Sequence, residues 1–195
     1  GEVIAYHWGD FKREPTVVLA HGWNGWAQQM ERFVAPLQER GLSVIAFDHV
    51  AHGASTGNRS SLPVMIRTLE HVFSGVPNLV GVIAHSLGAA ATASVLASSR
   101  RELQGAVLIA PPSDPRPYLT MLARMMGAPK ALTPQIEEAA GHMAGVELKR
   151  LVADPWTVRR IRTPLMIVHD VDDGEVPISN GYAYTMGSRA RVLAT

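Results

Sequence analysis

Leu79-Val80-Gly81-Val82-Ile83-Ala84-His85-Ser86-Leu87-Gly88-Ala89-Ala90 is the stretch from which the rest of the chain can be read. Leu79 to Ala84 is a short apolar run of strand character. Leu87 to Ser98 is a run of small residues with helical character. A serine at such a junction is pushed onto a sharp strand-to-helix turn, with its hydroxyl lifted clear and the N–H groups of the following helix beneath it. The turn tolerates only very small residues two before and two after the serine, and Ala84 and Gly88 stand there. Ser86 is therefore a candidate nucleophile. A serine that merely caps the helix starting at Leu87 would look the same in isolation, so the neighbouring segments decide.

Moving outward, short apolar runs alternate with helical stretches, the pattern of a parallel sheet covered by helices. Strands are expected at Val3 to Trp8, Thr16 to Ala20, Ser43 to Phe47, Gln104 to Ala110, Pro164 to His169 and Ala190 to Ala194. Ala27 to Arg40 carries Met30, Phe33, Val34 and Leu37 at helical spacing, with Gly41 as a stop. Ser61 to Phe73 reads as a further helix. The fold class is α/β: a mostly parallel, doubly wound sheet.

The alternation breaks between about Pro111 and Trp156, a Pro- and Met-rich section with helical stretches at Tyr118 to Met126 and Pro134 to Arg150. The domain reading is a core formed by residues 1–110 and 157–195, with residues 111–156 inserted as a small helical cap. An insertion there lies over the carboxyl ends of the strands, where ligands bind in open α/β sheets. Met121, Met125, Met126 and Met143 either line an adaptable apolar pocket or simply pack the cap.

The 195 residues suit one domain, and 47% hydrophobic residues suffice for a core. The net charge of +1, with both signs interspersed, argues against nucleic acid as a partner. No apolar stretch approaches the roughly 18 residues of a membrane span. The lack of cysteine excludes disulfides, thiol catalysis and thiolate metal sites. A cytoplasmic protein acting on a small molecule is expected.

A serine hydroxyl needs a base to take its proton, an acid to orient that base, and donors for the oxyanion that develops on an attacked carbonyl. His21-Gly22-Trp23 follows a strand, and Gly22 allows a bend that aims the Trp23 N–H toward the space above Ser86. With the Leu87 N–H this would form an oxyanion hole. Asp48-His49-Val50-Ala51-His52-Gly53 follows the next strand and reads as a polar turn shaping the site floor. The spacing of its histidines fits no recognisable metal site. After Pro164 to His169 come Asp170, Asp172 and Asp173, any of which could orient an imidazole.

The ordered set His21-Gly22, Asp48…His52-Gly53-x-Ser55, Ala84-x-Ser86-x-Gly88 and Asp173-x-x-Val176-Pro177 resembles the α/β-hydrolase superfamily over nearly the whole chain. Within it the chain looks most like small bacterial members that are esterase- or lipase-like or are hydrolases without an assigned substrate. The resemblance implies Ser86 as nucleophile and Asp173, three residues before Val-Pro, as acid. Trp23 and Leu87 would be the oxyanion donors, with His21, Gly22, His85 and Gly88 shaping the site. It also implies carboxylic ester hydrolysis through an acyl-serine, with neither cofactor nor metal. Amidase, thioesterase, lactonase and carbon–carbon hydrolase chemistry would use the same residues. Trp23, Trp26 and Tyr118 would border the pocket.

In this family the base follows the last strand, but none of the eight histidines lies beyond Asp173. The catalytic histidine is expected just past Thr195, on a carboxyl-terminal part truncated from this sequence. The alternatives are His169 or His85 as substitute base, or a catalytically silent binding or scaffold protein with the same fold.

Overall fold

β2 (Thr16–Ala20) and β3 (Ser43–Phe47) are buried at every residue, as apolar strands are when helices cover both faces of their sheet. They run parallel, Thr16 opposite Ser43 and Ala20 opposite Phe47. On the other side of β2 follow β4 (Leu79–His85), β5 (Gly105–Ile109), β6 (Leu165–His169) and β7 (Arg191–Ala194), all parallel. β1 (Ala5–Trp8) closes the far edge, antiparallel to β3. The order β1-β3-β2-β4-β5-β6-β7 is the mostly parallel α/β sheet expected from the alternation. The computed structural model describes residues 1–99, 101–114, 116–125, 127–144, 155–186 and 189–195.

Helices on the two faces seal two cores. α2 (Leu62–Gly75) starts at Ser61, whose hydroxyl accepts the Val64 N–H at 3.4 Å, and has Pro63 in its first turn. Its Met65 and Leu69 pack with Val18, Phe47, Leu108 and Ile167 of the sheet. α3 (Ser86–Ser98) joins this core through Ala89, Ala90, Ala91, Ala93 and Ala97, small side chains that let it lie close to α2 and the strands. On the other face Val17, Leu19, Val44 and Ala46 are covered by Ala27, Met30 and Val34. Each fully buried side chain of Leu or Met size contributes about 1.5–3 kcal/mol.

The single helix expected over Ala27 to Arg40 is instead two pieces, a tight 3₁₀ segment at Ala27–Phe33 and a short α1 (Val34–Gln38). Pro36 is the physical reason: it has no N–H and fits an α-helix only in the first turn, so α1 must begin just before it. Gly41 (φ 72°) ends the segment as expected. In the inserted section α4 (Arg116–Met125) and α5 (Thr133–Ala144) fall on the two expected helical stretches. The expected continuation to Arg150, and the side chains of Tyr118, Met121, Met125, Met126 and Met143, lie outside the described residues. Two five-residue helices, α6 (Pro155–Arg159) and α7 (Ser179–Ala183), were not expected. They are too short to show a period. No helix among the described residues is long and apolar enough to cross a membrane.

Candidate active site

Parallel register carries every chemically interesting loop to one edge. Ala20 lies opposite Ala84, His85 opposite Ile109, and Ile109 opposite Val168. The segments starting at His21, Ser86 and Asp170 therefore emerge side by side, those of β4 and β6 about 10 Å apart by strand spacing.

Ser86 has φ 49°. A non-glycine residue in the left-handed region is strained, and such strain persists only where the surroundings enforce it. The enforcement here is steric. Ala84 is fully buried, and a Cβ added to Gly88 would overlap the His21 carbonyl oxygen. Leu87 lies in the first turn of α3, where backbone N–H groups have no partner within the helix. The loop after β2 presses against the same turn: a Cβ built on Gly22 would stand 3.0 Å from Ser86 Cβ and 3.2 Å from His85 Nδ1. Trp23 continues this loop with its indole 46% exposed and edge-on to the His52 ring at 5.3 Å. Trp26 is likewise exposed.

The loop after β6 separates the three aspartates. Asp170 Oδ1 accepts the Asp172 N–H at 2.9 Å, the role of a turn former, and both residues are exposed. Asp173 is half-buried. Its Oδ1 accepts the Glu175 and Val176 N–H groups, each at 2.9 Å. Burial alone would raise its pKa; these two N–H bonds, helped by His169 and His85, outweigh it and hold the carboxyl below its ordinary value.

The two candidate substitute bases sit differently at the acid loop. His169 is fully buried, and its Nε2–H donates to the Val176 carbonyl at 2.7 Å, with Asp173 Oδ2 at 3.7 Å. It buttresses the acid loop from beneath. His85 ends β4, open to solvent in part and with its Nδ1 close to Gly22. Desolvation lowers its pKa, and the Asp173 and Glu175 carboxylates oppose that shift. Thr195 N–H donates to the His169 carbonyl and Val171 N–H to the Thr195 carbonyl, both at 3.0 Å, so the end of β7 stands against the acid loop.

The polar turn after β3 is bound more tightly than its sequence suggested. Asp48 is 2% exposed. Its Oδ1 accepts the Ala27 N–H at 2.7 Å and its Oδ2 the Ala54 N–H at 2.9 Å, with Tyr6 OH at 3.4 Å. The charge of Asp48 raises the Tyr6 pKa. Ser55 Oγ donates to the Asp48 carbonyl at 2.7 Å and accepts the Ile4 N–H at 2.8 Å. His21 is fully buried, its Nδ1–H donating to the Gly22 carbonyl at 2.7 Å and its Nε2 accepting the His49 N–H at 3.0 Å. Both ring nitrogens are thus engaged and fix the neutral tautomer. Burial, which outweighs the bond to Gly22, lowers the His21 pKa. Burial, with His21 and His52 alongside, pushes His49 down to about 2. Among the described residues no cluster of His, Asp or Glu is arranged to hold a metal ion.

Sequence reasoning missed the bracing at the root of the insertion. Asn180 Oδ1 accepts from Ser113 N–H at 3.0 Å and Oγ–H at 2.9 Å, and Tyr184 OH donates to the Pro112 carbonyl at 2.8 Å. No sequence motif signals these bonds, because they join residues about 70 positions apart.

The sequence profile of the serine aminopeptidase S33 family matches residues 12–171. The chain belongs to this family of α/β hydrolases. Solved structures share the S33 chain's fold at low identity. A monoacylglycerol lipase from Paleococcus ferrophilus superposes with a TM-score of 0.76 at 17% identity, covering 100% of this chain and 89% of that one. The α/β hydrolase MGS-M2, from a Medee basin deep-sea metagenome library, gives 0.73 at 13%, covering 99% and 85%. The esterase EaEST from Exiguobacterium antarcticum gives 0.71 at 14%, covering 98% and 86%. No curated protein matches the chain significantly.

Proposed function

We propose that this S33 hydrolase cleaves small-molecule carboxylic esters through an acyl-serine intermediate. The observation that carries the reading is Ser86 at φ 49° on the turn between β4 and α3, walled by Ala84 and Gly88. Ser86 Oγ attacks the ester carbonyl and its proton passes to a histidine. The Trp23 and Leu87 N–H groups hold the oxyanion. Collapse of the tetrahedral adduct breaks the bond to the alcohol oxygen, which takes the proton from the imidazolium and leaves. Water then attacks the acyl-serine with the same histidine as base, releasing the acid and restoring Ser86. The base in such a mechanism is a histidine, and the end of β7 abuts the acid loop that would orient it. Asp173 orients it. The inserted helices α4 and α5 belong to a cap that supplies the acyl-binding surface. No metal or cofactor takes part.

The named lipase and esterase of this fold favour an ester over an amide, although the same parts would serve peptide cleavage. A panel of aryl and alkyl esters, thioesters and aminoacyl anilides, assayed with the natural full-length chain and with Ser86→Ala, tests the reading. Ester turnover lost in S86A supports it. Anilide turnover without ester turnover moves the activity to aminopeptidase, and turnover retained in S86A removes Ser86 from the mechanism.

A further inference from the structure

The turn after β3 has no part in the chemistry proposed above, yet it carries the most heavily bonded carboxylate described at the site. We propose that Asp48 is a positioning residue that sets the place of the Trp23 N–H above Ser86. The inference rests on the reading of Trp23 as an oxyanion donor.

The segment from His21 to Ala27 leaves the end of β2 and crosses in front of the Ser86 turn before the 3₁₀ segment begins. It is pinned at two points, both by the turn after β3. At its start, His49 N–H holds His21 Nε2 at 3.0 Å, while His21 Nδ1–H holds the Gly22 carbonyl. At its far end, Asp48 Oδ1 holds the Ala27 N–H at 2.7 Å. Between these anchors Gly25 N–H donates to the Gly22 carbonyl at 3.2 Å, a single turn closing on itself, and the Trp26 carbonyl accepts the Gln29 N–H at 3.1 Å from the 3₁₀ segment. Trp23 lies in that turn, so its N–H direction follows from where the two anchors sit.

The second carboxylate oxygen fixes Asp48 in turn. It takes the Ala54 N–H at 2.9 Å with Tyr6 OH beyond. Gly53 stands at φ 50°, and a Cβ there would overlap the carboxylate. Only a group with two acceptor oxygens satisfies both N–H donors at once, which distinguishes Asp from Asn at this position. A loop anchored in this way matters because an oxyanion donor acts at a fixed distance, and a misplacement of about 1 Å from a remote change lowers the rate by about a hundredfold.

The test compares wild type, Asp48→Asn, Asp48→Ala and Val72→Ala in the natural full-length chain, with an activated aryl ester. kcat, KM, melting temperature and the rate of fluorophosphonate labelling are measured for each. Val72 is a core residue of α2, away from the site, and serves as a control for general destabilisation. Asp48→Ala is expected to lower kcat by about a hundredfold with KM within about threefold, and to slow labelling in proportion. Asp48→Asn keeps one acceptor and is expected to lose about tenfold; if Asp48→Ala does not fold, it carries the test alone. Val72→Ala is expected to lose melting temperature without loss of kcat. A folded Asp48 variant with undiminished kcat overturns the positioning role, as does a fall in kcat that Val72→Ala reproduces at equal loss of melting temperature. A wild-type chain that neither turns over esters nor takes the label overturns the acyl-serine reading itself, and the positioning role falls with it.

Discussion

The two loops that flank Ser86 are built in opposite ways. On one side, the turn after β3 is buried, with Asp48, His49, His52 and Ser55 each 8% exposed or less. Its bonds reach far along the chain, to Ile4, Tyr6, His21 and Ala27. On the other side, the acid loop is exposed at Asp170, Val171 and Asp172, and Asp173 is held by N–H groups two and three residues ahead of it. Long-range buried polar bonds hold rigidly, but each is part of the stability of the fold, because a buried polar group left unpaired costs about 1–3 kcal/mol. A local turn can present a carboxylate while contributing little to folding. Substitutions that remove a buried bond on the oxyanion side should therefore lower stability and activity together, and those on the acid side activity alone.

The largest effect belongs to the residue between the loops. Ser86→Ala should abolish ester turnover, by about 10⁴-fold or more, with a melting temperature close to wild type because the methyl group fits the same turn. Asp173→Asn should come next, lowering kcat by about 10³-fold or more through loss of imidazole orientation, again with the melting temperature within a few degrees. A large drop in melting temperature for Asp173→Asn would erase the contrast between the loops.

The contrast sharpens with pH. His49 is held neutral in the fold down to about pH 2, whereas a histidine in the unfolded chain takes a proton below about pH 6.5. The unfolded state therefore binds more protons as pH falls below that value, and stability should decline on acidification by up to about 1.4 kcal/mol per pH unit. Its ring nitrogens have no hydrogen-bond partner among the described residues, so His49→Leu should fold at pH 8 at least as well as wild type. It should also flatten the decline between pH 6.5 and 5, which urea melts at the two pH values would show. An unchanged pH slope would mean that other groups drive the acid transition. The smallest effect is expected at the root of the insertion. Tyr184→Phe removes the bond to the Pro112 carbonyl and should cost about 1 kcal/mol, with kcat unchanged.

The fold was legible because its signals are local. The uniformly apolar TVVLA and SVIAF segments mark buried parallel strands, and both strand ranges matched to the residue. The split near Val34 was legible in principle, since Pro36 stands in the sequence, but the apolar spacing around it masked the break. The serine turn was legible because sterics tie Ala84, Ser86 and Gly88 together within five residues. What stayed hidden depends on distance. Nothing in Asp48-His49 says that its partners are Ala27 and His21, and nothing in Asn180 points to Ser113. The preference for Asp173 came from resemblance to a family pattern. The structure adds a physical distinction, a half-buried carboxylate beside His169 where its neighbours are solvated turn formers.

The most direct measurement is mass spectrometry of the natural full-length chain after exposure to a fluorophosphonate, with the modified peptide mapped. A single adduct on Ser86, absent from Ser86→Ala, is the expected result and establishes an activated nucleophile at the strained turn. No adduct, or one on another serine that persists in Ser86→Ala, would contradict the proposed chemistry and leave the S33 fold without its acyl-serine.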